Sequence, residues 1–263
     1  MGYFRDSGNQ LVKPDLFIMT VLDVSMLKVF NDTGEAPVLL VCEHATNFIP
    51  ANFDGLGLSK QQLKSHIAWD PGAIETAEAM ALLLDAPLIS APVSRLLYDC
   101  NRPPESPTAI PLMSENQPIP GNASLSEGAR LQRVTDYYRP FEAAVAKQVS
   151  SMDAPLIITV HSFTPVFLGQ QRQVEIGVLH DEDSRFADAF LQQVLTDARF
   201  NIQRNQPYAP TDGVTHTLKH HALPSGLANV MLEIRNNLIA SPTQQQQMAA
   251  YLAKHIVMAA ERI

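Results

Sequence analysis

The sequence predicts an α/β fold: one domain, with a mostly parallel central sheet and helices on both faces. Three observations carry this. Short runs rich in Val, Ile and Leu recur at about the length of a buried strand: Val38–Cys42, Leu88–Ala91, Leu156–Val160, Val174–Leu179 and Val230–Ile234. The segments between them carry helical periodicity. The composition, 46% hydrophobic against 17% charged over 263 residues, supplies one sizeable core. Strands that read as continuous apolar runs are buried on both faces, so helices must cover both sides of the sheet.

Each element can be justified in turn. Residues 1–35 read as an N-terminal arm or one added strand. Within them the stretch Leu16–Phe30 is broken by Asp23 and Lys28, so it cannot span a bilayer. Asp15 at its entrance, with no small-x-small site after it, makes it a poor secretory signal. The α/β domain then covers 36–263. Val38–Cys42 is its first core strand. Gly55-Leu56-Gly57-Leu58-Ser59-Lys60 lacks the third Gly of a dinucleotide fingerprint and the spacing of a P-loop, and reads as a turn into a helix. Gly72–Leu84, Ala-rich after Pro71, is a helix leading to the strand Leu88–Ala91. Pro103–Pro120 is rich in Pro and Ser without periodicity, which makes it a long surface loop of the lid or binding kind. Helices come next at Ser126–Val149, Asp183–Ala198 and Ser241–Arg262, with Ser126 and Asp183 as N-caps. The Gln run 244–247 lies on a solvated helical face.

Charge and cysteine content narrow the function. With 19 Lys+Arg against 27 Asp+Glu, the net charge of −8 argues against a protein that tracks nucleic-acid phosphates. No membrane partner is expected either. Twelve Gly and two Cys exclude collagen-like and disulfide-framework classes. Cys42 and Cys100 form no C-x-x-C pair, and the default compartment is a reducing cytoplasm. Eight His in so apolar a chain need partners, and a metal is one such partner.

In doubly wound sheets, ligands bind beyond the carboxyl ends of the strands. The residues just past each apolar run are therefore informative. After Val38–Cys42 come Glu43 and His44; after Leu156–Val160 comes His161. Glu233, Arg235 and Asn236 close the last run, and Arg95, Asp99, Asn101 and Arg102 come after Leu88–Ala91. His44 and His161 are candidate ligands for Zn²⁺ or another divalent metal, with a carboxylate completing the protein set. Asp70 is the candidate third ligand, and Glu43 and Asn47 are its alternatives. Glu233, flanked by Met231, Leu232 and Ile234, is a desolvated general base. Arg95, Arg102 and Arg235 suit bidentate binding of a substrate carboxylate, or internal pairing with Asp99 and Glu233. His216 and His220 share a helical face at i, i+4, but the Glu of the metalloprotease helix is Thr217 here. Substrate contact is the better role for His216. No G-x-S-x-G elbow offers a serine nucleophile, and Asp99 opposes a thiolate at Cys100.

The ordered set Glu43-His44-Ala45-Thr46-Asn47-Phe48-Ile49-Pro50, Asp70-Pro71-Gly72-Ala73, Ser94–Arg102, His161-Ser162-Phe163 and Glu233–Asn237 resembles the N-formylglutamate amidohydrolase family, across roughly 37–240. The resemblance implies a phosphorylase/hydrolase-like α/β fold related to zinc carboxypeptidases. It implies metal ligation by His44 and His161 and acid–base work by Glu233. Arg95, Asn101, Arg102 and Arg235 become the substrate-carboxylate set. Two positions depart from the pattern: Asn47 stands where a zinc carboxypeptidase would place Glu, and Asn237 where many relatives are acidic.

The expected activity is metal-dependent hydrolysis of an N-acyl amide of a small acidic amino acid such as N-formylglutamate. Glu233 would move the proton, and an Arg beside it, Arg235, would steady the oxyanion. Asn236 and His216 join the expected substrate contacts. The partner is then a small acyl-amino acid, with homo-oligomerisation left open. Two rivals remain at this level: a metal peptidase of broader specificity, and a metal-free small-molecule binder.

Overall fold

The computed structural model describes residue 27 and residues 29–263. Among these, the strands are β1 Val29–Phe30, β2 Val38–Cys42, β3 Leu88–Ser90, β4 Met113–Ser114, β5 Gln117–Pro118, β6 Leu156–Phe163, β7 Val166–Phe167, β8 Gln170–Gln171, β9 Ile176–Leu179, β10 Ile202–Arg204 and β11 Asn229–Arg235. The α-helices are α1 Lys60–Lys64, α2 Ala73–Leu84, α3 Glu127–Arg133, α4 Arg139–Ser151, α5 Arg185–Val194, α6 His216–His221 and α7 Pro242–Ala260.

The main sheet has the order β1-β3-β2-β6-β11-β9-β10. Its centre is parallel, as expected: β3, β2, β6 and β11 all run one way. β9 runs antiparallel to β11, and β10 parallel to β9. A strand buried on both faces carries the same apolar run in either direction, so this reversal leaves no mark in composition. At the other edge β1 pairs antiparallel with β3. It is the described part of the expected arm or added strand; residues 1–26 and 28 lie outside the described residues.

Alternation along the strands divides the core in two. Leu40, Ile158, Val160 and Leu232 face α2, α5 and α7, together with Phe186, Phe190 and Leu252. Leu39, Val41, Ile157 and Met231 face the opposite way, onto Tyr98, Phe141 and Leu218 from the segment after β3, α4 and α6. Both faces of the sheet are thus covered by helices.

Local chemistry sets the helix boundaries. Ser59 and Gln62 form a reciprocal capping box on α1, the helix expected after the Gly55–Lys60 turn. Ser126 caps α3, accepting from the Ala129 amide. The expected helix Ser126–Val149 continues through a π turn at Val134–Tyr138 into α4, which ends at Ser151. α5 departs from expectation. Its N-cap is Ser184, which makes no side-chain cap bond, while the Asp183 carboxylate accepts from both the Arg185 amide at 3.0 Å and the Arg185 guanidinium at 2.7 Å, and the helix stops at Val194. The Pro103–Pro120 loop carries the hairpin β4–β5 and buries Ala109, Ile110 and Ile119.

Arg133 ties this loop region to the segment after β3. Its buried guanidinium donates to Asn122 Oδ1 at 2.7 Å and to the Leu97 carbonyl at 3.1 Å, and lies over the Phe53 ring. On the far side, Gly177 of β9 lets the Gln206 carbonyl press against the strand; a Cβ there would collide with it.

Candidate active site

Because β2, β3, β6 and β11 are parallel, their carboxyl ends open on one edge of the sheet. His44 lies just beyond β2, whereas His161 and Glu233 lie inside β6 and β11 and are direct register partners. Asp70 reaches the same point from the turn before α2, fixed there by its own amide on the His44 carbonyl at 2.9 Å. The Ser162 amide donates to Asp70 Oδ2 at 3.2 Å.

Three donor atoms converge. Asp70 Oδ2 lies 3.3 Å from His44 Nδ1 and 3.0 Å from His161 Nδ1, and the two Nδ1 atoms are 3.2 Å apart. All three residues are buried. Two ligands at ordinary zinc distances and a tetrahedral angle stand about 3.3 Å apart. These side chains therefore have the spacing of one face of a coordination tetrahedron. Among the described residues they are the group able to hold a metal ion. Asn47 stands apart, donating to the Leu63 carbonyl at 2.8 Å. Glu43 is not part of the face either; it stands behind His161.

The outward ring nitrogens are backed by carboxylates. His44 Nε2 meets Asp99 Oδ1 at 2.7 Å, and His161 Nε2 faces Glu43 Oε2 at 3.0 Å. Carboxylates behind ligating histidines orient the ring and raise its basicity. The electrostatics agree. Burial pulls the His161 imidazole down, but Glu43 and Asp70 reverse this and raise it well above its ordinary value. Burial and Arg95 lower His44, and Asp99 and Asp70 outweigh them. Burial would push the Asp70 carboxyl up, yet His44, His161 and Arg95 hold it well below the usual range. Glu233 behaves oppositely: burial pushes its carboxyl up to about 7. Its Oε2 has no hydrogen-bond partner.

His44, Asp70, Asp99, His161 and Glu233 line a cavity of about 230 Å³. Arg95, Asn101 and Arg102 line it with them. Arg95 donates to Asp70 Oδ1 at 3.2 Å and faces Asp99 at 3.7 Å. A larger hollow, about 870 Å³ between α5 and β10, contains none of the predicted site residues.

Other expected site residues are placed elsewhere. Arg235 does not line the cavity. It is drawn to Glu175 at 2.9 Å, to Asn237 Oδ1 and to the Arg172 carbonyl. Asn236 begins a 3₁₀ turn outside the cavity wall. His216 Nε2 meets the Tyr138 hydroxyl at 2.8 Å, and His220 pairs with Glu142. Sequence reasoning missed Tyr208, Asp212 and Val214, which enter the wall from an irregular loop with no periodic or motif signal. It also treated Asp99 as an arginine partner; its place behind His44 is a tertiary fact.

The sequence profile of the N-formylglutamate amidohydrolase family matches residues 36–240. The fold superposes with TM-score 0.88 on the gene product Atu2144 from Agrobacterium tumefaciens, at 48% identity over 90% of this chain and 95% of that one. It superposes with TM-score 0.62 on N-formylglutamate amidohydrolase from Ralstonia eutropha JMP134, at 20% identity over 90% and 96% of the two chains. At that identity the likeness concerns the fold. No curated protein matches the chain.

Proposed function

Because the chain belongs to the N-formylglutamate amidohydrolase family, we propose that it is a metal-dependent hydrolase of the linear amide in a small N-acyl amino acid, with N-formylglutamate the first compound to assay. The observation that carries this is the convergence of His44, His161 and Asp70 on one point, beside a buried Glu233 that is His161's neighbour in register. Zinc is the first metal to test, since two imidazoles and one carboxylate with an open position suit it. This donor set with a separate glutamate also supports kinship with zinc carboxypeptidases.

A divalent cation held by His44, His161 and Asp70 would supply polarisation of the acyl carbonyl and acidification of a water molecule. The chain's own groups do the rest. Glu233, with a carboxyl near 7, accepts the proton of the attacking water and returns it to the leaving amine nitrogen. Arg95, beside Asp70 at the cavity wall, takes the place expected of Arg235 in steadying negative charge on the carbonyl oxygen. Asp99 and Glu43 keep the imidazoles oriented. Both cysteines are free and buried, which supports work in a reducing cytoplasm.

The test is formate or acyl release from N-acyl amino acids by protein reconstituted with stoichiometric zinc. Hydrolysis that is lost in Glu233→Gln and His161→Ala, with the fold retained, supports the reading. Full activity after exhaustive chelation, or a full rate in Glu233→Gln, overturns it. Acyl-dipeptides cleaved as fast as acyl-amino acids would shift the reading to a broader peptidase.

A further inference from the structure

We propose that Arg172 is a positioning residue for the reaction: its guanidinium, held among Phe163, Phe167 and Tyr208, clasps the loop carrying Tyr208 into place as a cavity wall. This deepens the proposed function and rests on it.

Arg172 lies outside the cavity, just after the β7–β8 hairpin. Its guanidinium carbon stands 4.6 Å from the Phe167 ring centroid, 5.0 Å from that of Tyr208 and 5.4 Å from that of Phe163. All three distances fall within cation–π range, and a planar guanidinium can stack where an ammonium cannot. Among the described residues no carboxylate pairs with it, and its Nη1 donates to the neutral Thr164 carbonyl at 3.4 Å. The rings belong to three separate segments. Phe163 ends β6, Phe167 is on the hairpin, and Tyr208 stands in the irregular loop between β10 and α6. Of the three, Tyr208 lines the cavity. Its phenol senses the chemistry there: burial and Glu233 push it above its ordinary value, against Arg172 and Arg95.

The clasp is fastened to the strands that carry the chemistry. His161 and Glu233 are register partners on β6 and β11, and two residues on, Phe163 and Arg235 are partners too. Side chains two apart share a strand face, so Phe163 lies on the face of His161, about 7 Å further along β6. Arg235 Nη1 donates to the Arg172 carbonyl at 3.2 Å, with Nη2 on Glu175 and Nε on Asn237 Oδ1. The residue expected at the oxyanion thus holds the backbone of the clasp instead. The ends of the loop have their own ties, the Asn205 amide on the Val178 carbonyl at 3.0 Å and the Thr215 hydroxyl on Asp181 at 2.7 Å. Arg172 secures its middle. The ligand triangle and Glu233 do not lie on this loop, so loosening it weakens substrate binding and leaves the proton transfer itself intact.

The experiment measures kcat and KM for N-formylglutamate with the zinc-reconstituted chain carrying Arg172→Met, Tyr208→Leu or both. Arg172→Met should raise KM about tenfold, the scale of desolvated cation–π contacts, with kcat kept within about twofold. Arg172→Lys, which keeps the charge and loses the stacking plane, should lie between it and wild type. In the Tyr208→Leu background Arg172→Met should change KM by less than about twofold, because the two residues act as one unit. Equal KM effects of Arg172→Met with and without Tyr208 overturn the inference, as does a fall in kcat at unchanged KM. Hydrogen exchange gives a readout independent of hydrolysis. Arg172→Met should speed exchange in residues 205–215 and leave β2 and α7 as protected as in wild type. If nothing is hydrolysed, the hydrolase reading fails and exchange decides the clasp alone: faster exchange over 205–215 supports it, and unchanged exchange overturns it. If Arg172→Met fails to fold, Arg172→Lys takes its place in both measurements.

Discussion

His44 and Asp99 meet at 2.7 Å between Nε2 and Oδ1, which turns the other ring nitrogen of His44 onto Asp70. Asp99 is itself fixed by the Asn101 amide at 3.0 Å. The ring is thus oriented before any ligand arrives. Asp99→Asn keeps the volume but removes the charge and makes the amide orientation ambiguous. Zinc affinity should fall by about 10–100-fold, as for other carboxylates behind ligating histidines. Titration calorimetry on the chelator-treated protein measures this.

Metal uptake should release protons. His44 and His161 are both held above their ordinary pKa in the metal-free chain, because Asp99, Asp70 and Glu43 outweigh burial. A cation must displace these protons, so affinity should rise with pH. Calorimetry at one pH in two buffers of different ionisation enthalpy will show the release. Identical heats in both buffers would contradict it.

Glu233 makes the opposite contribution to stability from a paired carboxylate. Its folded value of about 7 lies above the ordinary 4.5, so between those pH values the folded chain binds a proton the unfolded chain has lost. Stability therefore falls as pH rises through this window, by an amount on the order of 3 kcal/mol at full ionisation. Glu233→Gln should have a higher Tm than wild type at pH 8 and the same Tm near pH 4, in metal-free protein. The same variant should be inactive.

Arg133 holds the backbone from which Arg95 and Asp99 project. Arg133→Met fills similar volume but leaves the Asn122 Oδ1 and Leu97 carbonyl acceptors without their buried donor. The cost should be about 2–3 kcal/mol in urea unfolding. Metal affinity should fall with it, since Leu97 lies between Arg95 and Asp99.

Much of the centre was legible because its ligands follow or end apolar runs. His44 follows Val38–Cys42, and His161 closes Leu156–Val160, so a parallel reading already brought them to one edge. Asp70 was legible as chemistry, since an acid before a helix start can serve either as a cap or as a ligand. Arg235 shows where such reading stops. Its partner Glu175 lies just before β9, the strand that runs backwards, and neither the reversal nor the pairing leaves a local signal. Tyr208 and Asp212 were hidden for a related reason: an irregular loop has no period to read. β10 was missed because Ile202–Arg204 is too short to establish one, whereas α6 showed itself through the i, i+4 spacing of His216 and His220.

The contact between Gly177 and the Gln206 carbonyl seats the loop that follows β10 against β9, at the residue paired with Glu233. The candidate ligands come from the carboxyl ends of β2 and β6, whose pairing is parallel, and from the turn before α2. The substrate-facing loop, with Tyr208, Asp212 and Gly213, is suspended from β9 at the residue paired with Glu233. Remodelling that loop can change which side chain the cavity accepts while the ligand triangle keeps its dimensions. A bulkier residue at position 177 would collide with the Gln206 carbonyl and push that loop off β9 directly beside Glu233.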